Sequence, residues 1–290
     1  MRISKNDNIV IVGGDARQKY LYDNLLENGF SVIPYDVPDV PVNKDLAKSV
    51  SYGDFKNTIT ACNVFILPIP FSRDGSTVNS KFSVIALNTF LSHIHPGSVI
   101  IGGCINDDFT KKCHAKNIAV YDLMENPSFE LLNTIATAEG AIAEAVMKSP
   151  LNIHFSNCLV TGYGKCAKAI CSRLGGLNAN VTVCARKKEQ QISAFESGYS
   201  YINFGKLSDS VEKYDFIFNT VPAMVLTEDV LKNVNKQTTI IDIASKPGGT
   251  DFGSCERLGI NAWLCLSLPG KYSPKSSADI IYDCIINQQN

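Results

Sequence analysis

Short apolar runs, bounded by glycine, proline and polar residues, alternate along this chain with stretches in which apolar positions recur at helical spacing. Asn8–Val12 reads as a buried parallel strand, and Gly13-Gly14-Asp15-Ala16-Arg17-Gln18 turns the chain into a helix whose apolar positions include Tyr20, Leu21, Leu25 and Leu26. Asn28-Gly29 closes that helix. A strand over Ser31–Pro34 follows, then a polar, proline-containing stretch to about Phe55. The strand Val64–Leu67 ends in Pro68-Ile69-Pro70 and a loop, Phe71–Ser80, too polar to be core. A helix through Phe82–Leu91, the strand Ser98–Ile101, a helix after Asp107 and the strand Ile118–Tyr121 complete a first alternating half.

A second half repeats the rhythm with strands at Cys158–Thr161, Val181–Cys184, Phe216–Asn219, Thr239–Ile243 and Ala262–Leu266. Between the halves, Asn126–Pro150 carries helical periodicity, with Thr137 as the expected N-cap and Glu139 in the first turn, where a carboxylate suits the dipole. Pro274–Ile286 reads as a final amphipathic helix. The pattern predicts an α/β protein of two Rossmann-like, doubly wound parallel-sheet domains joined by a bridging helix, the C-terminal helix returning to the N-terminal domain. The expected boundaries are residues 1–135 plus 275–290 for the N-terminal domain and 136–274 for the second.

The sharpest chemical signal is Gly162-Tyr163-Gly164-Lys165-Cys166-Ala167, which fits G-x-G-x-x-A between a strand and a helix. Gly162 permits a tight turn, Gly164 leaves room for a pyrophosphate to reach the backbone, and Ala167 lets the helix pack close to the strand. The next strand arrives after Gly175-Gly176, as a βαβ unit requires. An NAD site would carry an acid at the end of that strand; the chain instead reads Cys184-Ala185-Arg186-Lys187-Lys188, and a guanidinium there can pair with a 2′-phosphate and stack on adenine. NADP is therefore the expected cofactor, with NAD the alternative. The bland alternatives are glycines that merely turn the chain and a solvated basic start to the next helix. Ligands of open α/β sheets lie beyond the carboxyl ends of the strands, so the site is expected to be walled by Thr220-Val221-Pro222, by Ser245 and the loop to Asp251, and by Pro269-Gly270.

Composition narrows the class. The 290 residues are 45% hydrophobic and 19% charged, which is globular, and a net charge of −1 offers no field for nucleic acid. The N-terminus runs from a short polar lead into a strand without a signal-peptide core, and no apolar run is long enough for a membrane, so a cytoplasmic protein is expected. Ten cysteines include no C-x-x-C pair, and Cys62, Cys158, Cys184 and Cys265 sit in apolar runs as small hydrophobes. His93, His95, His114 and His154 show no ligand spacing, and no metal site is readable.

Five stretches, GGDARQ (13–18), NTIATAEGAI (133–142), GYGKCA (162–167), ASKPGGTDF (244–252) and LPGKYSPKSSA (268–278), together resemble the dipicolinate synthase A-subunit family of spore-forming bacteria. The chain departs from it at Ala167, where glycine is commoner, and at Lys271-Tyr272, where apolar residues are usual. The resemblance implies a dehydrogenase-like protein working in the mother cell beside a flavoprotein-like B-subunit, itself homo-oligomeric within the complex. The product implied is pyridine-2,6-dicarboxylate, made from a cyclic dicarboxylate derived from 4-hydroxy-tetrahydrodipicolinate. Removing two hydrogens from a dihydropyridine is driven by aromatisation and asks little of a general base; Glu139 or Asp15 are the carboxylates that could take the proton. The substrate's two carboxylates call for two donor clusters. Arg17, with Gln18 and the free N–H groups around Gly14 and Asp15 at a helix start, is expected on one side, with Thr137 nearby. Lys246, the N–H groups of Gly248, Gly249 and Thr250, and Lys275 are expected on the other. Two further readings stay open: a shikimate-dehydrogenase-like NADP enzyme, which wants a Lys-Asp pair, and a non-catalytic scaffold that binds nucleotide or substrate for the flavoprotein.

Overall fold

A computed structural model describes residues 3–40 and 52–286 of the chain. Residues 41–51 of the predicted proline-containing stretch, and the last four of the predicted C-terminal segment, lie outside the described residues. The chain divides into two compact units, Met1–Asn133 with Ser273–Asn290, and Thr134–Tyr272.

The first unit carries β1 (Asn8–Val12), α1 (Ala16–Glu27), β2 (Ser31–Tyr35), α2 (Tyr52–Ala61), β3 (Val64–Ile66), α3 (Leu87–His93), β4 (Val99–Gly102), α4 (Asp107–Ala115) and β5 (Ala119–Asp122). Its sheet has the order β2-β1-β3-β4-β5, a common doubly wound arrangement whose strand order reverses between β1 and β3. The chain enters the second unit within α5 (Pro127–Lys148). There follow β6 (Asn157–Thr161), α6 (Lys165–Gly176), β7 (Asn180–Cys184), α7 (Lys188–Glu196), β8 (Ser200–Ile202), α8 (Leu207–Ser210), β9 (Phe216–Asn219), α9 (Glu228–Leu231), β10 (Thr239–Asp242), α10 (Phe252–Leu258), β11 (Asn261–Leu264) and α11 (Leu268–Tyr272). The order β8-β7-β6-β9-β10-β11 is that of a dinucleotide-binding sheet, with its reversal between β6 and β9. All pairings between these named strands are parallel. The final helix, α12 (Pro274–Ile286), belongs to the first unit, where Ala278, Ile281 and Ile285 join Leu21 and Leu25 of α1 in one core.

Burial on both faces explains why the strands read as unbroken apolar runs. Along β6, Cys158 and Val160 point to a layer with Ala138, Ala141 and Ala145 of α5 and Ile170 of α6, whereas Leu159 packs with Ile217, Ile240 and Leu231 on the other face. Cys62, Cys158, Cys184 and Cys265 are all buried, and burial pushes the Cys171 and Cys184 thiols up to about 12.

The edge strand β8 is absent from the sequence pattern, and three expected elements are placed differently. The bridging helix does not start at Thr137. Asn126 caps it, accepting from the N–H groups of Ser128 at 3.0 Å and Phe129 at 3.1 Å, with Pro127 as its first residue, so Thr137 and Glu139 lie in mid-helix. The helix expected through Phe82–Leu91 begins at Leu87, because Val78 N–H donates to the Ile85 carbonyl and holds the preceding residues in a small antiparallel bridge. Leu268-Pro269-Gly270 opens a short helix rather than a loop, and it seats on α5 where a Cβ at Gly140 would come within 2.8 Å of the Leu268 side chain.

Candidate functional site

The turn between β6 and α6 has a shape that could seat a phosphate. Gly162 has φ +85°, and a Cβ on it would lie 2.8 Å from Thr220 Oγ1 and 3.1 Å from Val221 Cγ2, so both its conformation and its space require glycine. Gly164 is different: its φ of −83° suits any residue, and an added Cβ would meet no protein atom within 4 Å. Nothing inside the protein demands glycine there, and the space its missing side chain leaves lies at the start of a twelve-residue helix, where N–H groups and dipole favour an anion. Ala167 is fully buried against the strand, as the motif requires. These residues fit the pyrophosphate of a dinucleotide. Tyr163 offers only its backbone, because its ring is buried in the core and burial raises its phenol.

At the end of β7, the buried Gln191 amide donates to the Ala185 carbonyl at 2.8 Å and anchors the chain just before Arg186. Arg186 and Lys187 are exposed, and Lys187 is the N-cap of α7 with no side-chain cap bond. Lys188 Nζ lies 5.2 Å from the centroid of the Tyr201 ring. Three consecutive cations at the positive end of a helix repel one another and the dipole, offset in the first turn only by Glu189. An anion relieves that arrangement.

The loops beyond β9 and β10 are cross-tied. Thr220 Oγ1 donates to the Thr161 carbonyl at 2.7 Å, and Val221 N–H to Asn219 Oδ1 at 3.2 Å; Pro222 is exposed beside them. Asp242, fully buried, accepts from the Thr250 hydroxyl at 2.6 Å and from Ala244 N–H at 2.8 Å. Gly248 N–H donates to the Ser245 carbonyl at 2.9 Å, and the Gly249 carbonyl accepts from Val225 and Leu226. Of the expected substrate donors, the Gly248 N–H is used to build the loop, as is the Thr250 hydroxyl, and Gly249 is glycine because the 219–223 segment crowds it. Ser245 and Lys246 remain exposed at the loop's edge, while Pro269 and Gly270 are buried in α11.

The first unit has the same strand, glycine turn and helix, but its turn is closed. Gly13 N–H donates to the Tyr35 carbonyl, Gly14 N–H to the Asn79 carbonyl, both at 2.9 Å, and Asp15 N–H to Gln18 Oε1 at 3.3 Å. Asp15 caps α1 and accepts from Arg17 N–H at 3.1 Å. The free N–H groups expected around Gly14 and Asp15 are therefore consumed, and Gln18 is a buried member of a capping box. Arg17, 3% exposed, is held by Asp15 through Nε at 2.9 Å and Nη2 at 2.8 Å, and Nη2 also donates to the Ile69 carbonyl. Its charge is matched inside its own turn. Lys275 pairs with Asp279 one turn along α12 at 3.1 Å, and Glu139 with Arg173 at 3.4 Å. Asp15 and Glu139 thus have structural partners. Of the expected substrate cations, Lys246 is the one without an ion pair among the described residues.

One cluster escaped sequence reading. Glu144 on α5 is 3% exposed and receives Lys271 Nζ at 2.5 Å. Burial pushes its carboxyl up, but hydrogen bonds from Lys271 and Tyr272, with the charges of Lys271 and Lys148, outweigh this and hold it below the ordinary glutamate range. The unusual Lys271-Tyr272 pair is thereby explained: it satisfies a buried acid. The signal was the polar pair itself, following Leu268-Pro269-Gly270.

Residues 8–124 match the family described as the N-terminal domain of the dipicolinate synthase A-subunit. The dipicolinate synthase A-subunit of Bacillus subtilis (strain 168) is 29% identical over 276 residues, 94% of this chain and 92% of that protein. The crystal structure of the dipicolinate synthase A-subunit from Bacillus halodurans matches with a TM-score of 0.82 at 28% identity, covering 98% of this chain and 97% of that one. The chain is similar to the dipicolinate synthase A-subunits along nearly its whole length. A second solved structure, the dipicolinate synthase A-subunit from Bacillus subtilis, gives a TM-score of 0.79 at 27% identity, covering 97% of this chain and 95% of that one. Residues 158–246 match a family described as NADP oxidoreductase coenzyme F420-dependent, so the chain carries an oxidoreductase-type Rossmann unit on the side of the open glycine turn. Among the described residues no helix is long and apolar enough to cross a membrane.

Proposed function

We propose that the chain binds NADP and catalyses oxidation of a dihydropyridine dicarboxylate to the aromatic dicarboxylate, beside a flavoprotein-like B-subunit in the cytoplasm of the mother cell. The observation that carries the reading is the glycine turn at Gly162–Gly164, open onto space at a helix start and followed by the basic run Arg186-Lys187-Lys188. A bound nicotinamide supplies the hydride acceptor. The substrate loses one hydride and one proton from its CH–CH or CH–NH bonds, and the ring becomes aromatic. With Asp15 and Glu139 engaged by arginines, the proton passes to water, which suffices because aromatisation drives the step. Lys246 binds one substrate carboxylate by a charge-assisted contact. Arg186 and Lys187 select the 2′-phosphate.

Titrating the chain with NADP and NAD, then following reduced nicotinamide formation from dihydrodipicolinate with and without the flavoprotein, tests the reading. Turnover by the chain alone is the expected result. Nucleotide binding with turnover only on the flavoprotein's flavin would leave the chain a scaffold and overturn the catalytic claim.

A further inference from the structure

Three neighbouring strands of the second unit, β6, β9 and β10, each end in a polar residue that solvent does not reach. Thr161, Asn219 and Asp242 are fully buried and stand side by side in register, Thr161 opposite Asn219 and Asn219 opposite Asp242. The middle member touches three loops. Asn219 Oδ1 accepts from the Thr161 hydroxyl at 2.5 Å and from Val221 N–H at 3.2 Å, and its Nδ2 donates to the Val221 carbonyl at 3.3 Å. Gly249 lies against the same amide: a Cβ there would fall 2.3 Å from Asn219 Nδ2 and 2.4 Å from the Val221 carbonyl oxygen. Thr220 returns its hydroxyl to the Thr161 carbonyl and stands directly against Gly162.

We propose that Asn219 is a positioning residue: through Thr161 it fixes the glycine turn that receives the dinucleotide phosphates, and through Val221 and Gly249 it ties that turn to the loop bearing Lys246. The proposal rests on the nucleotide reading above. An amide suits the task because it offers both an acceptor and a donor on one flat group. Aspartate would lose the donor and bury a charge, and leucine would strand the Thr161 hydroxyl and the Val221 backbone without partners. The turn and the loop are then set by one side chain, so slack introduced at Thr161 reaches both.

The test compares Thr161→Val, which deletes the hydroxyl at constant shape, with Thr161→Ser, which keeps it. Thr238→Val is the matched control, since the buried Thr238 hydroxyl makes a comparable bond, 2.7 Å to the Tyr214 carbonyl, at the other end of the same sheet. NADPH binding to the full chain is followed by fluorescence, and amide hydrogen exchange is read over residues 162–168 and 245–251. Thr161→Val is expected to raise the Kd about tenfold, the worth of one well-made contact, and to speed exchange in both segments. Thr161→Ser and Thr238→Val should stay within about twofold in Kd, although Thr238→Val lowers the melting temperature by a similar amount to Thr161→Val. If Thr161→Val does not fold, Thr161→Ala, which also deletes the hydroxyl that bonds Asn219, carries the same expectation. Equal Kd changes in Thr161→Val and Thr238→Val, or a wild-type Kd in Thr161→Val, would overturn the role of Asn219 while leaving the nucleotide site intact. A wild-type chain that binds neither NADP nor NAD would remove the nucleotide reading itself and this proposal with it.

Discussion

Replacing each motif glycine by alanine separates what the fold needs from what a ligand needs. At Gly164, alanine gives up about 0.5–1 kcal/mol of N-cap preference. It regains about 0.4–1 kcal/mol by restricting the unfolded chain, because φ of −83° is open to alanine and no atom lies within 4 Å of its methyl. The two nearly cancel, so the melting temperature should hardly move. At Gly162 the left-handed φ of +85° costs about 1–2 kcal/mol. The collision with Thr220 and Val221 adds about 1–3 kcal/mol, against the same small entropic return. A net loss of about 1–4.5 kcal/mol corresponds to a drop of roughly 4–18 °C for a unit of this size. Ligand binding should rank the other way for its size of perturbation: the Gly164→Ala methyl stands where phosphate oxygens approach, and the NADP Kd should rise about tenfold to a hundredfold, or ~1.4–2.8 kcal/mol. Scanning calorimetry and NADPH fluorescence titration measure both quantities. A Gly164→Ala protein of normal stability that bound NADPH like the wild type would refute the argument that this glycine exists to admit a phosphate.

Arg186→Ala should lower NADP affinity by about tenfold or more, the loss of a charge-assisted contact, with NAD affinity unchanged in parallel calorimetric titrations. Lys246→Ala should raise the KM for the dicarboxylate about tenfold while the NADP Kd stays fixed, as steady-state kinetics at saturating NADP would read. Arg17→Ala, by contrast, should act on the fold: removing a buried partner of Asp15 and the Ile69 carbonyl costs about 1.5–3 kcal/mol in thermal unfolding, with KM near wild type in the folded fraction. The Glu144–Lys271 pair sets a pH window. Glu144 is held below its ordinary 4.5, so its contribution is present above that value and is lost as acid takes the pH below it. Lys271 is raised above 10.5, so its contribution is present below that value and is lost in stronger alkali. Glu144→Gln should flatten the acid limb of a stability–pH curve relative to wild type.

The buried strands and the returning helix were legible because strands buried on both faces leave unbroken apolar runs, as in Asn8–Val12 and Phe216–Asn219, and because Pro274 opens a clean amphipathic period; the short, largely exposed β8 leaves no such run. The glycine turn was legible because Gly162 answers to local geometry and the G-x-G-x-x-A spacing falls between a strand and a helix. The start of α5 was misplaced although Asn126-Pro127 carried it, since Thr137 with Glu139 nearby looked like a cap and nothing local weighs one cap against another. The partners of the expected donors in the first unit were hidden for a different reason. Whether Gly14 N–H is free depends on Asn79, and whether Arg17 is free depends on Ile69, and those partners are set by the tertiary fold rather than by spacing. Likewise each of Thr161, Asn219 and Asp242 is visible as the polar end of an apolar run, but their standing in one row follows from the strand order alone.

The sealed turn of the first unit has a countable consequence. Two strand–glycine–helix openings suggest two equivalents of nucleotide per chain, yet in the first the Asn79 carbonyl, the Asp15 carboxylate and the Gln18 amide already occupy the places that phosphate oxygens would take. An anion approaching there would find the N–H groups of Gly13, Gly14, Asp15 and Arg17 already engaged and the Arg17 charge already matched by Asp15. A binding isotherm should therefore saturate at one nucleotide per chain, because the first unit has the strand order of a doubly wound domain but a turn already closed by its own side chains.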